Sequence, residues 1–255
     1  MTDLIKSKLP QITFTFWVMK ICATTLGETA GDLLSMTLNV GYGVSSTILF
    51  GFFLITLAIQ LFSKEYHPVI YWSVILATST AGTTMSDFMD RTLGLGYAEG
   101  SLILITALVA TLIVWKSTEK SLSVTDIKSL RGEMFYWTAI LFSNTLGTAL
   151  GDFLADDSGL GFSGGALLIG GLLLLVVLAY YFTNVSHVIL FWTAFVLTRP
   201  FGATFGDLLT KPADKGGLNF GTAGSSLILF GILAVLIFIS VIKINSEKKI
   251  IIGSE

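Results

Sequence analysis

The stretch FWVMKICATTLGETAGD, residues 16–32, decides the fold because the chain repeats its frame four times. The frame returns at residues 71–87 (YWSVILATSTAGTTMSD), 136–152 (YWTAILFSNTLGTALGD) and 191–207 (FWTAFVLTRPFGATFGD). Each copy starts with an aromatic residue and Trp, has a glycine ten residues after that Trp, and ends in an aspartate fifteen residues after it. Such repetition predicts an architecture built from copies of one structural unit.

The composition is that of a polytopic membrane protein. Of the 255 residues, 53% are hydrophobic and only 13% are charged, and the mean hydropathy is +0.80. A single cysteine, Cys22, excludes a disulfide within one chain and a thiolate metal cluster. The first apolar segment is long and contains Lys20, so we expect no cleavable signal peptide.

Eight segments are long and apolar enough to span a bilayer, which needs about 20 residues of helix. Those with odd numbers carry the repeated frame, whereas the even ones are almost purely aliphatic and aromatic. We therefore predict an all-α protein with an inner ring of odd helices and an outer, lipid-facing ring of even helices. The predicted spans are residues 11–35, 44–63, 67–90, 98–116, 132–155, 162–183, 186–210 and 222–243.

The basic residues predict the orientation of the spans. Ten of them fall on the side of both termini, namely Lys6, Lys8, Lys64, Lys116, Lys120, Lys128, Arg131, Lys243, Lys248 and Lys249, against Arg91, Lys211 and Lys215 on the other. This imbalance places both termini in the cytoplasm. Because each repeat has two spans, the odd helices are parallel. Fifteen residues of helix then carry each aspartate about 22 Å from its Trp, toward the outer side.

The Trp positions indicate how the repeats are related. Trp17 and Trp72 lie 55 residues apart, as do Trp137 and Trp192, and the two halves are offset by 120. The spacing predicts pseudo-two-fold symmetry about the membrane normal, approximating four-fold, between halves at residues 1–120 and 121–255 of one integral membrane domain.

The positions 3, 7, 11 and 15 residues after the Trp lie on one face of each odd helix, and the polar residues on this face become more frequent toward the aspartate. Lipid cannot satisfy them, so these stripes must face one another or a wet cavity. We predict cation-binding or proton-coupling roles for Asp32, Asp87, Asp152, Asp207 and Glu28, with the four aspartates as metal ligands. Path-lining or counter-charge roles are predicted for Lys20, Thr24, Ser79, Thr83, Asn144, Thr148 and Arg199.

The five acids of the stripes face only two bases, Lys20 and Arg199, and this leaves three negative charges to be offset. Protons, ion pairing or a multivalent cation could supply the balance. Alternatively, the aspartates only fix packing through hydrogen bonds, and the two bases form structural salt bridges or contact an anion. Asp90 and Arg91, at a helix end, are expected to be solvated.

Three backbone features accompany the stripes. Small residues four apart predict close helix packing, at Gly27, Gly31, Gly82, Gly147, Gly151, Gly202 and Gly206. The glycine-rich loops after each aspartate predict tight turns with positive φ, although their backbone could instead line an outer mouth. Pro200 should kink the seventh helix.

Four copies of Gly-x-x-x-Gly/Ser-Asp in an eight-span chain resemble a family of bacterial inner-membrane proteins named for a repeat of unknown function. The resemblance covers nearly the whole chain, with Ser86 and Pro200 as departures. It implies a bacterial inner-membrane location and a loose association with export of, or resistance to, metal cations.

The leading functional hypothesis is a secondary transporter that exports a hard metal cation, such as manganese, iron or aluminium, coupled to protons. Carboxylate and threonine oxygens suit hard cations, and the chain has no ATP-binding loop. The alternatives are a carrier of a small organic ion and a non-transporting membrane scaffold. We expect no enzyme activity, no cofactor and no nucleic-acid partner. The partners are the bilayer, the cation and protons, and the site lies within one chain or between protomers of a homo-oligomer.

Overall fold

The computed structural model describes residues 8–127 and 129–252, except the side chains of residues 126 and 248–252. Lys6, Lys128 and the side chains of Lys248 and Lys249, which enter the orientation argument, lie outside this description. The described chain is helical and has no strand, so the predicted all-α class is confirmed. Its long helices are α1 (Phe14–Asp32), α2 (Tyr42–Phe62), α3 (Pro68–Asp87), α4 (Tyr97–Glu119), α5 (Leu130–Asp152), α6 (Gly161–Phe182), α7 (His187–Thr210) and α8 (Thr222–Ile252).

Three of the four odd helices, α1, α3 and α5, begin at recognisable N-terminal signals. The Thr13 hydroxyl accepts the Phe16 N–H at 3.3 Å ahead of α1, and the Ser129 hydroxyl accepts the Gly132 N–H at 2.9 Å ahead of α5. Pro68 occupies the first turn of α3, where a missing N–H costs nothing. α7 runs on through Pro200 as one helix.

A π-helical turn follows the aspartate in each of the first three repeats, at Leu33–Thr37, Phe88–Thr92 and Phe153–Asp157. The helices pass through the paired glycines unbroken, so the irregular backbone lies after the aspartate. In the fourth repeat α7 ends at Thr210 and a longer loop follows. The fourth repeat therefore differs in backbone where its polar stripe ends.

The four odd helices form a closed ring in which α1 and α5 each pack against both α3 and α7. At one end, which we call the aromatic end, the aromatic residues that open the repeated frame touch between neighbouring helices. Ring centroids there lie 5.6 Å apart for Phe16 and Trp72 and 5.6 Å apart for Tyr71 and Trp137. The four helices are thus parallel, and the opposite end, the aspartate end, gathers their last residues.

The even helices lie outside this ring, each against the odd helix of the next repeat. α2 packs on α3, α4 on α5, α6 on α7, and α8 closes the circle on α1. Their outward faces expose large apolar side chains such as Leu167 and Leu227. Such faces suit lipid and not water.

Within the described residues, five helices are long and apolar enough to cross a membrane, namely α2, α4, α6, α7 and α8. The chain therefore has the character of a polytopic membrane protein. The remaining helices α1, α3 and α5 carry the serine, threonine and acidic residues of the polar stripes, which lower their hydropathy.

The glycine-rich loops at the aspartate end make the expected turns. Gly41, Gly96, Gly161 and Gly221 have φ between 66° and 81° and lie at or next to the start of the following helix. A residue with a side chain rarely adopts this conformation. The prediction of tight turns with positive φ is confirmed at these four positions.

Candidate functional site

The polar stripes turn into the ring and are removed from solvent. Lys20 and Arg199 are fully buried, and Glu28 is 2% exposed. The four stripe aspartates are 2–3% exposed. A buried charge must be paired or hydrogen-bonded, so the partners of these groups define what the ring can do.

The paired glycines let the stripes approach one another. A methyl group at Gly27 would overlap Ser79 on α3, and one at Gly147 would overlap Arg199 on α7. Gly82 packs on Asn144 in the same way. The remaining glycines of the predicted set face stripe residues as well, with Gly31 against Thr83, Gly151 against Ala203, Gly202 against Thr24 and Gly206 against Glu28.

Arg199, near the middle of α7, makes polar contacts with each of the other three helices of the ring. Its Nη1 donates to Glu28 Oε2 on α1 at 2.9 Å. Its Nη2 lies 2.6 Å from the hydroxyl oxygens of both Thr83 on α3 and Thr148 on α5, and 3.4 Å from the Ser79 carbonyl oxygen. The buried ion pair of Arg199 and Glu28, with the hydroxyl groups of Thr83 and Thr148, therefore reaches every helix of the ring. We call these four residues the Arg199 hub.

Lys20 lies nearer the aromatic end and has different partners. Its Nζ donates to Asn144 Oδ1 at 3.3 Å and lies 3.9 Å above the centre of the Phe195 ring. Asn144 in turn donates to the Thr78 hydroxyl at 2.9 Å. The ammonium is thus stabilised by an amide oxygen and an aromatic face, whereas an acidic partner was one of the expectations. Thr24 hydrogen-bonds the Thr198 carbonyl oxygen at 3.1 Å and so links α1 to α7.

The four aspartates form two pairs, and one basic side chain bridges each pair. Arg91 Nε lies 3.0 Å from Asp87 Oδ1, and its Nη2 lies 2.9 Å from Asp152 Oδ2. Lys211 Nζ lies 2.7 Å from Asp32 Oδ2 and 3.0 Å from Asp207 Oδ1. Each base stands four residues after an aspartate of its own repeat, and the two bases are 120 residues apart, as the pseudo-two-fold relation requires.

Lys211 lies just beyond the end of α7, and its side chain is 19% exposed. Burial lowers the pKa of its ammonium, but the negative charges of Asp207 and Asp32 outweigh that effect and hold this pKa well above its ordinary value. Lys211 therefore stays charged throughout the physiological range.

Glu28, Asp32 and Asp207 form the densest group of acids. Each offers a carboxylate oxygen, these oxygens lie within 4.8 Å of one another, and all three residues are buried. Three carboxylates at this spacing are the kind of donor set that hard cations select. The sequence predicted Asp32 and Asp207 as ligands together with Asp87 and Asp152, but the latter two are joined by Arg91 in the other pair.

The family described as "Repeat of Unknown Function (DUF347)" matches the chain four times, over residues 15–66, 70–121, 135–186 and 190–243. The chain belongs to this family. Each DUF347 repeat comprises one odd helix of the ring and the even helix that follows it. The predicted membership in a repeat family is thereby confirmed. No curated protein and no solved structure matches the chain.

Two expectations from the sequence of this DUF347 protein were wrong. They concern the charge balance of the stripe acids and the solvent exposure of Asp90. With Arg91 and Lys211 included, four bases face five stripe acids, and the excess of three negative charges falls to one. Asp90 is not solvated but 6% exposed, and its Oδ2 accepts the Ser86 hydroxyl at 3.1 Å. Asp90 lies within the π-helical turn Phe88–Thr92 and packs against Gly100 on α4, so a position near the helix end is buried.

Sequence reasoning also missed a polar contact at the aromatic end. Glu133 is 2% exposed and accepts from Lys8 Nζ at 2.9 Å and from Gln60 Nε2 at 3.4 Å. Nearby, the hydroxyl oxygens of Tyr71 and Tyr136 lie 2.6 Å apart. Glu133 lies before the repeated frame, so no stripe position marks it. These contacts join neighbouring repeats where the ring is closed by aromatic packing.

Proposed function

We propose that the protein is a secondary transporter that exports a hard metal cation, such as manganese, iron or aluminium, coupled to protons. The observation that carries this proposal is the buried group of Glu28, Asp32 and Asp207, with carboxylate oxygens within 4.8 Å of one another. Buried acids in membrane helices are costly and usually mark ion pathways.

The proposal includes an eight-span arrangement in the bacterial inner membrane with both termini in the cytoplasm. The five apolar helices supply spans by composition. Helices α1, α3 and α5 are less apolar, but their polar side chains point into the ring while the even helices cover its outside. The aspartate end then faces outward, and the aromatic end faces the cytoplasm.

In this arrangement the acids are cation ligands or proton carriers. When the five stripe acids and the four bases Lys20, Arg91, Arg199 and Lys211 are all charged, one negative charge remains uncompensated. One proton neutralises it. Glu28 is the proposed proton-coupling group, since its carboxylate lies within 4.8 Å of those of Asp32 and Asp207 and also accepts a hydrogen bond from Arg199. Thr83 and Thr148 supply hydroxyl oxygens beside it, 3.3 Å from its Oε2.

Transport by purified protein in liposomes tests the proposal. With Mn²⁺ as the probe and an imposed pH gradient, the wild type should move Mn²⁺, while Asp32→Asn and Glu28→Gln lose more than about tenfold of the rate, because the first change removes a cation ligand and the second the proton-coupling carboxylate. Asp214→Asn, at an exposed aspartate beyond α7, is the matched control and should transport normally. Equal Mn²⁺ flux in all four proteins would overturn the assignment of the site.

A non-transporting membrane scaffold is the second candidate, and the packing of the ring favours it. Arg199, Lys20, Tyr71, Tyr136 and Trp137 are fully buried between the helices and fill the ring. Lys20 and Arg199 are engaged by partners within the chain, which weakens the case for an organic-ion carrier that would use them. The absence of Mn²⁺ and proton flux in well-folded wild-type protein would select the scaffold.

A further inference from the structure

We propose that Lys211 is a tethered counter-ion that occupies the cation position between Asp32 and Asp207 and swings out when the transported cation binds. The proposal rests on the proposed function, because it assumes that this group of acids receives a cation. It adds a residue that sets cation affinity and a displacement step that the carboxylates alone do not provide.

The ammonium of Lys211 already lies where a cation would lie. Its Nζ is 2.7 Å from Asp32 Oδ2 and 3.0 Å from Asp207 Oδ1, on the two helices that also contribute to the three-carboxylate group. The second contact meets the distance of an ion pair but not the geometry of a hydrogen bond, so the buried Asp207 Oδ1 has no hydrogen-bond partner. Lys211 thus supplies charge but no well-directed hydrogen bond to Asp207 Oδ1, so a cation that displaces the ammonium breaks no hydrogen bond of that oxygen.

The backbone of Lys211 is fixed, whereas its side chain has a route out. The Lys211 N–H donates to the Asp207 carbonyl at 2.8 Å, and the Lys211 carbonyl accepts the Asn219 N–H at 3.0 Å. Gly217 packs directly on that carbonyl, where a side chain would not fit. The side chain, in contrast, is partly exposed at the aspartate end. Rotation about its own bonds can move the ammonium into solvent without displacing α7.

The pseudo-symmetric Arg91 makes more contacts than Lys211, although its side chain is more exposed, at 29% against 19%. Besides Asp87 and Asp152, its guanidinium contacts the Tyr42 hydroxyl at 3.4 Å and lies 5.6 Å from the centre of the Tyr97 ring. A planar guanidinium with several directed contacts is a fixed bridge, whereas a lysine ammonium on a flexible stem is a mobile point charge. The two bridges therefore differ in role, and only the Lys211 bridge opens.

The charge balance fits a divalent cation. With Lys211 in place, five acids face four bases. When Lys211 leaves, the remaining bases are Lys20, Arg199 and Arg91, and two negative charges are uncompensated. One divalent cation offsets both. The exchange of a lysine ammonium for a divalent cation thus keeps the buried group near neutrality, which its low-dielectric surroundings require.

Mn²⁺ binding to purified protein in nanodiscs tests this role. Lys211→Met removes the competing charge and should bind Mn²⁺ at least tenfold more tightly than the wild type by calorimetry. Lys211→Arg keeps a charge and should bind like the wild type or more weakly. Lys215→Met, at an exposed lysine in the same loop, is the matched control and should bind like the wild type.

A second readout separates displacement from a general electrostatic effect and needs no variant. In the wild type, saturating Mn²⁺ should increase acylation of Lys211 by an amine-reactive ester several-fold, measured by peptide mass spectrometry, while acylation of Lys215 stays constant. A structural ion pair would show no Mn²⁺ effect at Lys211, and that result overturns the proposal.

The outcomes also separate this role from the transport proposal. If Lys211→Met binds Mn²⁺ no more tightly than the wild type, or not at all, Lys211 is not a competing counter-ion, whatever the liposome flux shows. If Lys211 is displaced by Mn²⁺ but wild-type liposomes show no flux, the counter-ion role stands and transport is refuted. If flux is present and Lys211 acylation does not respond to Mn²⁺, transport stands and the counter-ion role is refuted.

Discussion

Replacing Glu28 by Gln removes the charge that balances Arg199 at the centre of the ring while keeping the side-chain shape. Arg199 is fully buried, and its Nη1 lies 2.9 Å from Glu28 Oε2. Its Nη2 contacts with Thr83 and Thr148 survive the change, but neither threonine carries charge. The variant therefore leaves a guanidinium in the protein interior without its counter-ion.

The expected loss of stability is large because removing one member of a buried ion pair costs more than replacing both members. Removing one partner of a buried ion pair costs about 3–5 kcal/mol, whereas replacing both by apolar groups is often neutral or stabilising. At roughly 2–4 °C per kcal/mol for a chain of this size, Glu28→Gln should lower the unfolding temperature by about 6–20 °C. The double variant Glu28→Gln/Arg199→Met should recover at least about half of that loss, because Thr83 still donates to the Gly27 carbonyl.

Thermal unfolding of the detergent-solubilised proteins measures this, with all midpoints compared at one scan rate because membrane proteins often unfold irreversibly. Glu99→Gln, which removes an exposed acid near the start of α4, is the control and should unfold with the wild type. A Glu28→Gln midpoint within about 2 °C of the wild type, or a double variant less stable than the single one, would refute the account of the Arg199 hub.

Two further predictions concern packing and reactivity. Gly147→Ala should destabilise by about 1–3 kcal/mol, since the added methyl would overlap Arg199, while Gly231→Ala, which meets open space on α8, should not; equal midpoints would contradict the close approach of α5 and α7. Because the pKa of Lys211 is raised, the fraction of its amine that is neutral at pH 8 is smaller than it would be at the ordinary lysine pKa. Without Mn²⁺, Lys211 should therefore be acylated several-fold more slowly than Lys215. The two lysines would react at equal rates if the ion pairs were absent.

The sequence predicted the ring well because its signals are periodic. The aspartate frame recurs at fixed spacing, and the stripe from Lys20 to Asp32 follows one helical face, so four such helices must turn these faces toward one another. Small residues such as Gly147 marked where the helices touch. These features depend on local spacing, which a sequence displays directly.

The bridging bases were missed because the sequence places them outside the stripes. Arg91 and Lys211 lie beyond the last stripe aspartate and looked like loop charges, yet each stands four residues after an aspartate and reaches back to it. The 120-residue offset between them was a usable signal. Their second partners, Asp152 and Asp32, belong to the neighbouring helices, and only the order of helices around the ring identifies them.

The most direct test of the proposed function is to locate the cation. Crystals of the protein grown with Mn²⁺ and measured at the manganese absorption edge should show an anomalous peak at about 2.0–2.6 Å from carboxylate oxygens of Asp32 and Asp207, with the Lys211 side chain turned away. An anomalous peak only elsewhere, or none at all with Lys211 still between the two aspartates at saturating Mn²⁺, would contradict the proposal.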